Sequence, residues 1–199
     1  MKTYKYKSYD EYVKAQKTAN AKKSSNVWAV EENIKFLAEY IHLKIGPKLG
    51  ICHGTREGHE QAWFNKHLPY CKTIGTEIGD ASAPDTVQWD FNNHNKDWFM
   101  EFDFIYSNSF DHAYDPESTL KVWSAQLKIG GLIILEYDRR QEHTGEISMP
   151  VNKVDPVSIR LDELIDLIPK WSGAMRVIDV LDMPVVTQEW RKSLVIKVG

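Results

Sequence analysis

From Lys48 to Gly199 the chain keeps one rhythm, and that rhythm leaves few folds open. Short apolar runs alternate with stretches of helical periodicity. KLGICHG (48–54) reads as a strand ending in glycine, and TREGHEQAWFNKHL (55–68) as a helix. KTIGTEIG (72–79), TVQWDFN (86–92) and FDFIYSNSF (102–110) read as three further strands. ESTLKVWSAQL (117–127) is a helix that turns Leu120, Trp123 and Leu127 inward. LIILEYD (132–138) is an unbroken apolar run of the kind buried on both faces of a sheet. RLDELIDLIPKW (160–171) is another helix, expected to end at Pro169. MRVIDVLDM (175–183) and SLVIKVG (193–199) close the chain as strands with only a polar segment between them. Strands alternating with helices imply a parallel sheet with helices on both faces. The last two strands lack a crossover helix, so they are expected to pair as an antiparallel hairpin.

Residues 1–45 have a different character, and the expected division is an N-terminal helical extension (1–45) followed by an α/β domain (46–199). SYDEYVKAQKTANAKK (8–23) and VWAVEENIKFLAEYIHLKI (27–45) are helical, with Val27, Val30, Ile34, Leu37, Ala38 and Ile41 on one face of the second. Ser25 or Asn26 is the expected cap between them. Lysines 2, 5, 7, 14, 17, 22 and 23 concentrate here, as a solvated face or as an arm for a polyanion.

Composition narrows the function. A formal net charge of −3 over 199 residues gives no electrostatic reason to expect nucleic acid or an anionic membrane as partner. The two cysteines, Cys52 and Cys71, form no CxxC pair and read as reduced thiols. No apolar run approaches the length of a bilayer, and MKTYKYKSYDEY lacks an apolar signal core. The expectation is a cytoplasmic protein. Histidines 53, 59, 67, 94, 112 and 143 show no spaced ligand motif, so no metal is expected, although His53, Asp111 and His112 are conceivable neighbours.

In open α/β sheets ligands bind beyond the carboxyl ends of the strands, at the point where the winding order reverses. The first strand delivers Cys52, His53, Gly54, Thr55, Arg56, Glu57 and Gly58 there. The second delivers Glu77, about twenty residues past Gly58, where a carboxylate can accept two hydrogen bonds from a ribose diol. The third delivers Asp90, able to meet an adenine amino group, with Trp89 or Phe91 as a flat apolar wall. The fourth delivers Asn108, Ser109, Asp111 and His112.

In this order the pieces resemble a class I S-adenosylmethionine-dependent methyltransferase. The resemblance rests on GICHGTREG, IGTEIG, VQWDF, the long run FDFIYSNSFDHAYDPESTLKVWSAQLKIGGLIILEY and the terminal hairpin, and it covers roughly residues 46 to 199. It implies a Rossmann-like sheet of seven mostly parallel strands, a helical cap from residues 1–45, S-adenosylmethionine as cofactor and a small-molecule acceptor. The first loop departs from the family pattern. Gly50 falls where the family carries an acid, and Cys52 and Arg56 stand in two glycine slots, leaving Gly54 and Gly58. The cofactor has no phosphate to cradle, and its methionine carboxylate can be received by a helix N-terminus and Arg56. Glu57 is a conceivable substitute for the missing acid.

For catalysis the resemblance points to the Asp111–His112 loop, with His112 as general base and Asp111 as its orienter or a second base. Tyr106, Asn108 and Tyr137 are candidate walls of the acceptor pocket, and His143, on the polar run DRRQEHTGE, a candidate cover. SNSF has a faint likeness to the N-P-P-Y loop of adenine-amino methyltransferases, without its prolines. Two other readings stay open on these residues. One is an NAD(P)-dependent oxidoreductase, which shares the first loop and Glu77. The other is a methyltransferase-like binding module without cofactor.

Overall fold

The structure is a computed structural model describing residues 1–23, 26–138, 151–186 and 191–199. Its elements in chain order are β1 (Lys2–Thr3), α1 (Tyr9–Lys22), α2 (Glu31–Ile45), β2 (Leu49–His53), α3 (His59–His67), β3 (Lys72–Glu77), β4 (Thr86–Gln88), β5 (Phe102–Ser107), α4 (Pro116–Gln126), β6 (Leu127–Asp138), β7 (Val157–Ser158), α5 (Leu161–Trp171), β8 (Met175–Asp182) and β9 (Arg191–Val198). Seven strands form one sheet in the order β4-β3-β2-β5-β6-β9-β8. The strands from β4 to β6 are parallel, and β9 runs antiparallel to both its neighbours. This is the Rossmann-like sheet and reversed last strand that the sequence implies.

Alternation along each strand divides the core into two layers. Ile51, Ile105, Ile133 and Leu135 face α4 and α5, where Leu120, Trp123, Leu164 and Ile168 meet them. Cys52, Phe104, Tyr106, Leu132 and Ile134 face α2 and α3, where Ile34, Leu37, Ile41 and Phe64 meet them. The inward face of α2 is the one its periodicity indicates, but the helix starts at Glu31 rather than Val27. Val30 is its N-cap, without a side-chain hydrogen bond. Asn26 does not cap it, since its amide donates to the Lys23 carbonyl in a preceding turn, and Val27 is exposed. The alternative cap, Ser25, lies outside the described residues.

Three further local expectations change. β4 is only three residues long: the Trp89 N–H makes a last bond to the Glu77 carbonyl, and from Asp90 the chain turns, with the Asn93 N–H donating to the Asp90 carbonyl. Pro169 does not end α5, which continues to Trp171. The LKIGG segment belongs to β6, and the β5–β6 register shifts between Phe102 and Phe104 where it enters. Gly131 is required there, since a Cβ would stand 2.9 Å from the Lys128 carbonyl and 3.0 Å from that of Asp103. A second small sheet, β1 antiparallel to β7, ties the amino end of the chain to the segment before α5. No helix among the described residues is long and apolar enough to cross a membrane.

The glycine that replaces the family's acid has a packing reason. Gly50 lies directly across from Phe104 in the β2–β5 register. A Cβ on Gly50 would stand 2.3 Å from the Phe104 ring, which is itself wedged against Phe64 at 5.1 Å between ring centres. The missing side chain is therefore the room that an aromatic pair occupies. Gly50→Ala is expected to cost roughly 1–3 kcal/mol by overpacking, read as a lower chemical-denaturation midpoint. An unchanged midpoint would show that the ring pair moves freely.

Candidate functional site

The site is opened by the sheet's winding. From β2 the chain turns through α3 toward β3, and from β5 it turns through α4 toward β6, on the opposite face. The two strand ends therefore part at their carboxyl side. Gly54 makes the first turn at φ 75°, and a Cβ there would stand 2.8 Å from Ser109 Cβ, so the β2 and β5 loops approach closely only because Gly54 has no side chain. The Ser109 hydroxyl donates to the Gly54 carbonyl at 3.1 Å, and the Ser107 hydroxyl donates to the His53 carbonyl at 2.9 Å.

Two adjoining cavities lie over this seam. The smaller is bounded by Glu77, Asp90, Phe91 and Gly54 beneath, and by Tyr12 and Gln16 of α1 above. Both oxygens of the buried Glu77 carboxylate accept backbone N–H groups, from Arg56 at 2.9 Å and Gly79 at 3.0 Å. A carboxylate has about four lone-pair positions, so this leaves capacity for a ribose diol. Asp90 accepts from Tyr9 of α1 at 2.6 Å and from the Asn92 amide at 3.0 Å. Asn92 in turn donates to Tyr12 at 2.7 Å, so α1 is laced to the loop after β4.

The larger cavity, about 210 Å³, runs from Gly54, Thr55 and Arg56 past Asn108 and Ser109 to Asp111, His112, Glu136 and Tyr137. His112 Nδ1 lies 2.7 Å from the Val154 carbonyl. A carbonyl only accepts, so Nδ1 carries a proton and Nε2 is the ring nitrogen left facing the site. Nε2 stands 3.9 Å from carboxylate oxygens of both Asp111 and Asp155. Burial raises the Asp111 carboxyl, an effect opposed by the nearby imidazole of His112. These three side chains come close enough to hold a cation together, and Asp155 is a member that sequence spacing could not supply. It arrives from a segment more than forty residues away, and only the fold reveals it.

Of the residues expected to meet a cofactor, Gly54, Thr55, Arg56, Glu77, Asp90, Phe91, Asn108 and Ser109 gather around the two cavities. Four others lie elsewhere. Cys52 points into the α2–α3 core. His53, one residue on, points to the other core layer beside Trp123 at 4.8 Å between ring centres, hydrogen-bonded to Thr76 at 2.8 Å and Gln126 at 2.9 Å. Gly58 is the left-handed N-cap of α3, where Gln61 and Ala83 leave no room for a Cβ. Trp89 packs edge-on against Trp98. Period-two alternation placed the side chains of Cys52 and His53 inside the sheet layers, although both precede the loop by one or two residues. Tyr106, proposed as an acceptor wall, is buried in the α2–α3 layer, whereas Tyr137 reaches the larger cavity. His143 lies outside the described residues.

Arg56 is not free to receive a carboxylate with its Nη1, which donates to the Lys23 and Asn26 carbonyls at 3.2 and 2.9 Å. It anchors the end of α1 over the site from a backbone at φ 46°. Lysines 2, 5, 7, 14, 17 and 22 are exposed, as a solvated face requires, while Lys23 turns toward the cavities.

No family model matches the sequence, and no curated protein matches it. Solved structures do match in fold. The chain superimposes on the 1,6-didemethyltoxoflavin-N1-methyltransferase of Burkholderia thailandensis, solved with 1,6-didemethyltoxoflavin and S-adenosylhomocysteine, with a TM-score of 0.75. Identity is 14%, over 98% of this chain and 92% of that one. The plantazolicin methyltransferase BpumL, solved with S-adenosylhomocysteine, gives 0.66 at 13% identity, over 96% and 95%. An S-adenosylmethionine-dependent methyltransferase of Aquifex aeolicus gives 0.58 at 14%, over 86% and 100%. The fold is that of the class I methyltransferases.

Two buried groups predict opposite pH behaviour. Burial lowers His53 from 6.5 to about 4, so the unfolded chain binds its proton more readily between those values. Its contribution to stability is complete above pH 6.5 and is lost as pH falls toward 4; His53→Gln should flatten that slope in denaturation midpoints. Glu60, in the first turn of α3, is raised from 4.5 to about 7, chiefly by burial. Its stabilising contribution is present below pH 4.5 and is lost as pH rises through 7. Glu60→Gln should therefore gain stability over the parent at pH 8, with the gain fading toward pH 4.5.

Proposed function

We propose that this protein is an S-adenosylmethionine-dependent methyltransferase that moves a methyl group to a small-molecule acceptor by in-line displacement. The observation that carries the reading is the pair of adjoining cavities over the switch point, one bounded by Glu77, Asp90 and Phe91 and the other by Asn108, Asp111 and Tyr137, which share Gly54, Arg56, Ser109 and His112 as lining. A nucleoside fits the first by chemistry: Glu77 for the ribose, Asp90 for an adenine amino group, Phe91 for its ring face. The methionine end then extends past Gly54 and Thr55 toward Asn108, and the methyl group toward His112. Residues 1–45 act as the cap, with Tyr12 and Gln16 closing the nucleoside end.

S-adenosylmethionine supplies an already activated methyl group. The protein's work is to orient the acceptor, exclude water and take the acceptor's proton. His112 Nε2 is the base in this reading, and Asp111 and Asp155 stabilise the imidazolium that forms. Two solved structures of similar fold, a 1,6-didemethyltoxoflavin-N1-methyltransferase with 1,6-didemethyltoxoflavin bound and a plantazolicin methyltransferase, support a small-molecule acceptor. The formal charge of −3 argues against nucleic acid. Two free thiols fit a cytoplasmic setting.

One observation favours a second reading, a binding module without cofactor: α1 is already bonded to Asp90, and Arg56 to the chain after α1. Calorimetry decides between them. The methyltransferase reading expects S-adenosylhomocysteine to bind, and Glu77→Ala to weaken it at least tenfold; absence of binding to the intact chain would overturn it. His112→Ala should lower turnover by roughly 10²–10⁴ once an acceptor is in hand, and unchanged turnover would end its role as base.

A further inference from the structure

The ring of His112 is held by a segment that α1 holds as well. His112 Nδ1 donates to the Val154 carbonyl at 2.7 Å. The same oxygen accepts from Gln16 Nε2 of α1 at 3.1 Å. A carbonyl oxygen has two lone pairs, and these two donors use both. Gln16 is 7% exposed and lines the nucleoside cavity, as does His112. Its amide nitrogen also lies 3.4 Å from the Lys153 carbonyl and from the Tyr6 hydroxyl. Carbonyls only accept, so the nitrogen end of the side chain must face them. The Val154–Asp155 peptide is fastened on its other edge too. The Asp155 N–H donates to Asn152 Oδ1 at 3.1 Å, and Asn152 Nδ2 donates to Asp155 Oδ2 at 3.2 Å. The other oxygen of that carboxylate stands 3.9 Å from His112 Nε2. One planar peptide unit therefore sets a neighbour of each ring nitrogen, and turning its carbonyl turns both edges together.

We propose that Gln16 is a positioning residue for His112, acting through the Val154 carbonyl they share, so that the ring is aimed into the site only while α1 lies over the nucleoside cavity. Asn152 bonds within its own segment and moves wherever that segment moves. The place of the segment against the amino-terminal part of the chain comes from other contacts. The Tyr6 hydroxyl donates to the Lys153 carbonyl at 2.8 Å, Lys153 pairs with Glu11 at 2.6 Å, and Gln16 donates to the Val154 carbonyl. The first two are exposed, and an exposed ion pair adds little. Of the three, Gln16 alone bonds the atom that His112 uses. A buried amide that served only to fasten α1 would change stability and leave the ring as it is. A positioning amide ties proton removal to a covered cofactor. The inference rests on the methyltransferase reading for what His112 does, and on the shared carbonyl for how it is held.

The test reads the His112 ring nitrogens of the full chain by long-range proton–nitrogen correlation in alkaline buffer, without ligand. The spectrum separates a ring protonated at Nδ1 from one protonated at Nε2. The His112 signals are assigned by their absence in His112→Ala. The parent should be protonated at Nδ1. Gln16→Met keeps the bulk and removes the donor, and its His112 signals should shift toward the Nε2-protonated form. Tyr6→Phe loosens the same segment at the Lys153 carbonyl and should leave the ring protonated at Nδ1. Thermal unfolding shows which variants fold. If Gln16→Met does not, Gln16→Asn, whose shorter side chain withdraws the amide from the carbonyl, carries the same prediction. An unchanged ring in the folded Gln16 variant, an equal change in Tyr6→Phe, or a parent ring not protonated at Nδ1 overturns the proposal. S-adenosylhomocysteine is titrated into the parent alongside. If it does not bind, the methyltransferase reading fails, and the ring spectra still decide whether Gln16 positions His112.

Discussion

The parting of β2 and β5 at the centre of the sheet is the constraint from which the rest follows. The two strands pair in parallel, yet their crossovers leave to opposite faces. That places α3 in one apolar layer and α4 in the other, and it leaves a seam that no backbone can fill. The seam is stitched at its base by Ser107 to the His53 carbonyl and Ser109 to the Gly54 carbonyl. The site stands on that seam, on the α1 roof above it and on the segment before β7 that brings Val154 and Asp155 to His112.

Much of this architecture was legible in the sequence because it follows from period and punctuation. The alternation after Lys48, the doubly buried LIILEYD run and the missing crossover before SLVIKVG each have one economical structural solution, and the sheet adopts it. Gly54, Glu77 and Asp90 were legible as cleft-facing positions for the same reason, since Glu77 ends a strand, Gly54 and Asp90 follow one closely, and strand ends face the cleft. What the sequence hid was direction. Cys52 and His53 sit in the loop motif but belong to opposite core layers, and His53 spends both ring nitrogens on Thr76 and Gln126. Arg56 looks like an anion receptor in sequence, whereas its Nη1 is committed to carbonyls of the chain following α1.

Long-range pairings were hidden as well. Asp155 reaches His112, and β1 pairs with β7, each across sequence separations that no local pattern encodes. The apparent defect at Gly50 is of the same kind. Its explanation is the Phe104 ring on a neighbouring strand, so the departure from the family's acid reflects packing at that position, and the charge in the cleft comes from residues farther along the chain.

A crystal structure of the protein with S-adenosylhomocysteine tests the account most directly. The account predicts the ribose on Glu77, the adenine between Asp90 and Phe91 beneath α1, and the thioether sulfur on the His112 side of Gly54. A nucleoside bound elsewhere, or a cleft that α1 keeps shut at saturating ligand, would contradict it.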